Sequence, residues 1–214
     1  MKHQAYQSTG FSLIVGAFLV IVTMVMHPSG GSMERILSIS KTITITHALA
    51  IFSLPFISFG FYGLTHKLMD TRKIAVLAFL ILIFGLIAAM FAALVNGLTV
   101  PYFLGDYAHR LEENREVLGP ILNYSFALNT PLDYIFIVGC CLAIVLYSIS
   151  ILMTHTIPKW LGYFGIIFGI FVSIGALTGF VFTSLTGFRI VTFSIAAWIL
   201  CAGFFVMRTK PDAT

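Results

Sequence analysis

Charge is scarce in this chain. Only 9% of its 214 residues are Asp, Glu, Lys or Arg, against roughly a quarter in a soluble domain, so most of its surface has no means of facing water. Cysteine is scarce as well. Cys140, Cys141 and Cys201 all fall inside apolar runs, and the adjacent pair points to diverging helix faces, which argues against a disulfide framework and a CxxC redox pair. No HExxH or HxxxH places two ligands on one helix face, and no glycine-rich nucleotide loop occurs.

Apolar residues take the vacated positions. They make up 59% of the chain, and the mean hydropathy is +1.01. In hydrocarbon every backbone N–H and C=O must be paired within a helix or a closed barrel, and long unbroken apolar runs, unlike alternating ones, select the helix. The runs sit at about 9–27, 43–65, 74–98, 130–153, 160–183 and 188–207, each near the roughly 20 residues that cross about 30 Å of hydrocarbon. The expected fold is therefore all-α: a polytopic bundle of six transmembrane helices in one domain, 1–214, with a long outer connection at about 99–129. Phe11 to Met26 is read as a retained first helix. Only Lys2 and His3 precede it as a positive region, and His27-Pro28-Ser29-Gly30 is no small-residue cleavage site.

The net charge of +4 and pI of 9.1 do not mark a nucleic-acid site, because the basic residues are scattered through short loops, where they set topology. Lys2, Lys67, Arg72, Lys73, Lys159, Arg208 and Lys210 on one side outnumber Arg35, Lys41, Arg110, Arg115 and Arg189 on the other, which favours N-in, C-in. Tight inner turns at 65–73 and 153–160 make hairpins of the second and third spans and of the fourth and fifth. His66 and His155 occupy corresponding turns, a faint sign of duplication. In the long connection, Gly105 to Glu116 is too polar for lipid; it reads either as a short surface helix over the outer mouth or as a solvated linker. Two small-residue stripes, Gly85/Ala89/Ala93 and Gly165/Gly169/Ser173, offer close helix approach, and Pro55 is expected to kink the second span.

Polar side chains inside a membrane are costly and usually face the bundle interior. His27 ends the first span and His47 starts the second. Asn96 ends the third, Asn129 and Asp133 start the fourth, Thr183 and Ser184 end the fifth, and Arg189 starts the sixth. With alternating helix directions these residues share one depth, an outer polar belt. The leading reading is a pocket in which His27, His47, Asn96, Asn129, Asp133 and Arg189 bind a small or lipidic ligand, with Tyr102, Phe103 and Tyr134 at its rim, as in a binding or transport subunit. Three alternatives stay open. His27, His47 and Asp133 are a sufficient ligand set for zinc or iron and would make a metal-dependent membrane hydrolase. The two imidazoles would serve as axial ligands of a haem. Or the belt, with Asp133 and Arg189 neutralising one another, is structural, in an accessory subunit for an unidentified partner.

Several short stretches carry a family likeness: His27-Pro28, His47, Gly63-Leu64, Ile157-Pro158-Lys159-Trp160-Leu161-Gly162, and Trp198 followed by Gly203 and Arg208. On these the chain resembles small, uncharacterised bacterial six-helix integral membrane proteins of the domain-of-unknown-function kind. The resemblance implies a six-helix protein of the bacterial inner membrane and supplies no activity. Relatives often carry an aromatic residue shortly before the second-span His, where this chain has Ile43-Thr44-Ile45-Thr46.

The orientation is directly testable. In a background without the native cysteines, a cysteine at Gly30 should react with a membrane-impermeant maleimide added to whole cells, and one at His66 should not; the opposite pattern would reverse the topology.

Overall fold

Each apolar run forms a helix in the computed structural model, which describes residues 2–154 and 156–208. The elements are α1 (Lys2–Met26), α2 (Met33–Ser38), α3 (Ser40–Lys67), α4 (Arg72–Ala92), α5 (Val100–Asp106), α6 (Arg115–Met153), α7 (Lys159–Leu177) and α8 (Leu185–Met207). A π-helical turn, Ala93–Thr99, joins α4 to α5. Six helical segments are long and apolar enough to cross a membrane, and among the described residues there is no strand. The chain is a multi-pass, all-α membrane protein. Large apolar side chains such as Phe11, Phe18, Phe52, Phe84 and Ile167 stand more than half exposed, as a lipid-facing surface requires. His155 and Lys210 lie outside the described residues.

The helices sort into two layers of three. In one, α1 packs between α3 and α8; in the other, α6 packs between α4 and α7. Close approach within each layer depends on glycine. A Cβ on Gly203 would stand 2.9 Å from the Gly10 carbonyl oxygen, which locks α1 to α8, and one on Gly139 would stand 3.1 Å from Gly85 Cα, which locks α4 to α6. Of the two stripes read from sequence, Gly85 and Gly165 serve packing. Ser173 is exposed, turned back on the Gly169 carbonyl at 2.9 Å.

Large aromatics join the layers at the Lys67 end. Phe61 of α3, Tyr147 of α6 and Trp198 of α8 are fully buried. Phe61 stacks on Trp198 with ring centroids 6.2 Å apart, and Trp198 Nε1 donates to the Leu161 carbonyl of α7 at 3.1 Å. Tyr147 shares a 2.7 Å hydrogen bond with Thr65 of α3. This satisfies the polar tips that such residues bring into an apolar interior.

The stretch 99–129, read as an outer connection that is either a short surface helix or a solvated linker, is largely helical. The third span continues through the π turn to Asp106, only 107–114 lacks a long helix, and α6 starts at Arg115. At 39 residues and 1.5 Å per residue, α6 is about 58 Å long, so it extends well past the hydrocarbon. Its first turns pack with α2 and α5 around a second apolar cluster that contains Met33, Ile36, Val100, Leu104, Leu118 and Leu122. The polar residues of this stretch face outward from the cap. There Arg115 bonds both Glu34 of α2 and Glu112, the latter at 2.7 Å. Hydrogen bonds from Ser32 and Arg115 hold the Glu34 carboxyl below its ordinary range, and the Arg115 bond does the same for Glu112.

The fifth span also ends early, at Leu177. Gly179 has φ +79, and the Phe180 N–H reaches back to Gly175 at 2.8 Å while Gly179 N–H reaches Ala176 at 3.2 Å, the paired bonds of a Schellman stop. α8 then opens on Ser184, whose hydroxyl accepts from Gly187 N–H at 3.1 Å.

The glycine contacts predict a specific asymmetry. Gly203→Leu should cost about 1–3 kcal/mol of unfolding free energy in mixed micelles, the usual range for overpacking. Gly105→Leu, where nothing lies within 4 Å of an added Cβ, should be close to neutral. Equal stability of the two variants would contradict the α1–α8 approach.

Candidate functional site

Where the Lys67 end holds large aromatics between the layers, the His27 end holds Ala50, Ala89, Ala92 and Ala93, and the layers stand apart around a cavity of about 370 Å³. Its floor is apolar, formed by Phe61, Leu82, Leu86, Ile144, Ile195 and Ile199. Polar groups gather toward the other end: His27, His47, Asn96, Asn129 and Asp133 all line it, as do Thr23, Thr183 and Thr192. Five of the six residues singled out from the sequence thus border one space.

The two imidazoles are in contact, with ring centroids 4.9 Å apart and planes inclined by 56°. His27 Nδ1 lies 3.0 Å from the Pro28 carbonyl oxygen and His47 Nδ1 lies 2.8 Å from the Ile43 carbonyl oxygen. A carbonyl only accepts, so Nδ1 carries the proton in both rings, and in the neutral imidazole Nε2 keeps its lone pair. In the neutral state both rings therefore present an acceptor.

His47 fits because of its neighbour on the π turn. A Cβ on Gly97 would fall 2.0 Å from His47 Cγ, so only glycine leaves room for the ring. The turn itself has a local cause. Pro101 lacks an N–H, and its ring would meet the carbonyl of residue 97 in a regular helix; the wider Ala93–Thr99 turn relieves that conflict and carries Asn96 to the cavity wall. Neither Gly97 nor the turn was singled out from sequence, although Asn96-Gly97 four residues before Pro101 was a readable signal.

Asn129 and Asp133 do not start a helix. They sit well inside α6, one turn apart around Pro131, and Asn129 Nδ2 donates to Asp133 Oδ2 at 2.6 Å. Arg189 is outside the cavity lining and does not neutralise Asp133: its Nη2 donates to the His27 carbonyl at 2.8 Å. The expected aromatic rim is elsewhere too. Tyr102 is 76% exposed, Phe103 packs on the cap cluster, and Phe126, Phe136 and Phe188 border the cavity instead.

The metal and haem readings meet a geometric obstacle. Among the described residues no three His, Cys, Asp or Glu side chains are grouped so as to hold a metal ion, so the set His27, His47 and Asp133 is not assembled, although all three face one space. The touching imidazoles leave no gap for a porphyrin between them. What the walls do hold is unused hydrogen-bonding capacity. The hydroxyls of Thr23 and Thr192, 5% and 4% exposed, and the Oδ1 atoms of Asn96 and Asn129 are buried without a partner.

Comparison with protein-family models, curated proteins and solved structures returns no match.

The tautomer assignment has a direct test. Solid-state ¹⁵N spectra of labelled protein in bilayers should show His27 and His47 protonated at Nδ1, and Gly97→Ala should shift the His47 signals. Protonation at Nε2 in both rings would remove the backbone carbonyls as their partners.

Proposed function

We propose that the protein binds a small amphipathic ligand in the cavity between its helix layers, as a binding or transport subunit of the bacterial inner membrane. The observation that carries this reading is the pairing of an enclosed apolar floor with buried, unpartnered polar atoms at one end of the same space. A buried hydroxyl or amide left unsatisfied costs about 1–3 kcal/mol, and several such atoms around one cavity are compensated if a bound molecule completes their hydrogen bonds. The size fits. At roughly 30 Å³ per water the cavity has room for about a dozen, and ligand sites begin near 300 Å³. An apolar tail would lie against Phe61, Leu82 and Ile199, with the head among His27, His47, Asn129 and Asp133. Asn96 belongs to the same polar end, and Arg189 supports it from behind through the His27 backbone. The inner-membrane assignment rests on the excess of Lys and Arg on the N-terminal side and on the family resemblance.

The test is occupancy. Native mass spectrometry of protein released from lipid nanodiscs should find a bound small molecule in the unaltered chain, and Ala89→Trp, which fills the cavity from α4, should lose it. Identical occupancy in both would place the molecule elsewhere and end this reading; stoichiometric zinc or iron that disappears in His47→Ala would replace it with a metal site.

A further inference from the structure

We infer that the head recognised in this cavity is neutral and hydroxyl-bearing, the end of a long-chain alcohol or alkylphenol rather than a fatty acid, a phosphate ester or an amine. The inference rests on the binding reading above and concerns the chemical class of the ligand.

The polar end carries several free acceptors. Both imidazoles spend Nδ1–H on backbone carbonyls, which leaves Nε2 of each neutral ring to accept. Asn96 and Asn129 have unpartnered Oδ1 atoms, and the Asp133 carboxylate has its single side-chain bond from Asn129. The Asn129 amide is thereby partly committed; Arg189 Nη2 is bonded to the His27 carbonyl, and its Nε, buried without a partner, lies outside the cavity lining. Thr23 and Thr192, buried without partners on the cavity wall, are two-way groups that donate or accept. A ligand head must then supply at least one proton and be able to accept one in return, as a hydroxyl does.

Charge balance narrows the class further. The ionisable side chains lining the cavity are His27, His47, Asp133 and Cys140, and Arg189, outside the lining, is tied to the His27 backbone. Asp133 takes its bond from Asn129 and not from Arg189, so no ion pair closes the polar end. An anionic head would meet the Asp133 carboxyl group and four further lone-pair acceptors, with the Arg189 guanidinium held outside the lining. A cationic head would enjoy Asp133 but would face Arg189 across His27. A neutral head escapes both penalties, which are severe where water is excluded.

Four probes with one tail separate the possibilities: 4-octylphenol, its methyl ether 4-octylanisole, 4-octylbenzoate and 4-octylbenzylamine. Each is titrated at pH 7 against the full-length protein in nanodiscs, and only the saturable binding lost in Ala89→Trp is counted, which removes partition into lipid. The phenol should bind at least tenfold tighter than the ether, the benzoate and the amine. That preference should fall to about twofold or less in a His27→Phe/His47→Phe double variant, whose rings retain bulk without the nitrogen lone pairs. Should that variant not fold, Asn129→Leu serves in its place, with a smaller loss of the same preference expected.

Equal binding of phenol and ether would overturn the hydroxyl assignment while leaving the cavity a ligand site, because the counted binding still depends on Ala89. Tightest binding by the benzoate or by the amine would overturn it in favour of an anion-reading Arg189 or a cation-reading Asp133. If no probe binds while native mass spectrometry still finds a molecule lost in Ala89→Trp, the hydroxyl class is wrong and the cavity reading stands. If neither experiment finds one, both fail.

Discussion

Helix backbones approach one another only where side chains shrink, and in this protein that constraint determines where there is space. Gly10 against Gly203 and Gly85 against Gly139 bring α1 to α8 and α4 to α6 within backbone contact. Lipid offers no hydrophobic force between helices, so such van der Waals contact is a principal source of cohesion. Between the two layers the contact is made by side chains instead, and its quality changes along the bundle. Phe61, Tyr147 and Trp198 fill the gap at one end; alanines fail to fill it at the other. The cavity is the consequence.

The same contrast explains why the polar residues tolerate their depth. Each of the two histidines anchors one ring nitrogen on a backbone carbonyl near its own position in the chain, Pro28 for His27 and Ile43 for His47, so neither ring needs the opposite layer. Arg189 supports the backbone of His27 from α8, and Asn129 holds Asp133 from within α6. These local pairings hold the ring of polar groups open instead of letting it collapse into one cross-linked cluster. An ion-pair network across the gap would have closed it.

The π turn before Pro101 links backbone chemistry to the site. A regular helix through residues 93–101 would set the proline ring against the carbonyl of Gly97. Widening the turn resolves this conflict, and glycine at 97 lets the His47 ring lie against the exposed backbone. One imino acid and one missing side chain thus position a polar group donated by a different helix. The cap formed by α2, α5 and the first turns of α6 stands over the same end, held by its own apolar cluster and by Arg115 between Glu34 and Glu112.

What the sequence by itself determined is the class of solvent and the number of crossings: unbroken apolar runs leave the backbone no alternative to helices, and six runs are six spans. It also located His27, His47, Asn96, Asn129 and Asp133 at similar depth, since rise per residue converts chain position into height. Angular position was not legible. Whether Arg189 meets Asp133 or a backbone carbonyl depends on how two helices are rotated about their axes, and an apolar helix in lipid has too weak a polar face to report that rotation. The polar stretch 99–129 was misleading for a related reason, because composition measures contact with water and not secondary structure, and a helix that rises beyond the hydrocarbon is polar and helical at once. Only the tertiary structure decided that large residues meet at one end of the interlayer gap and small ones at the other, for that depends on which residues of different helices face each other.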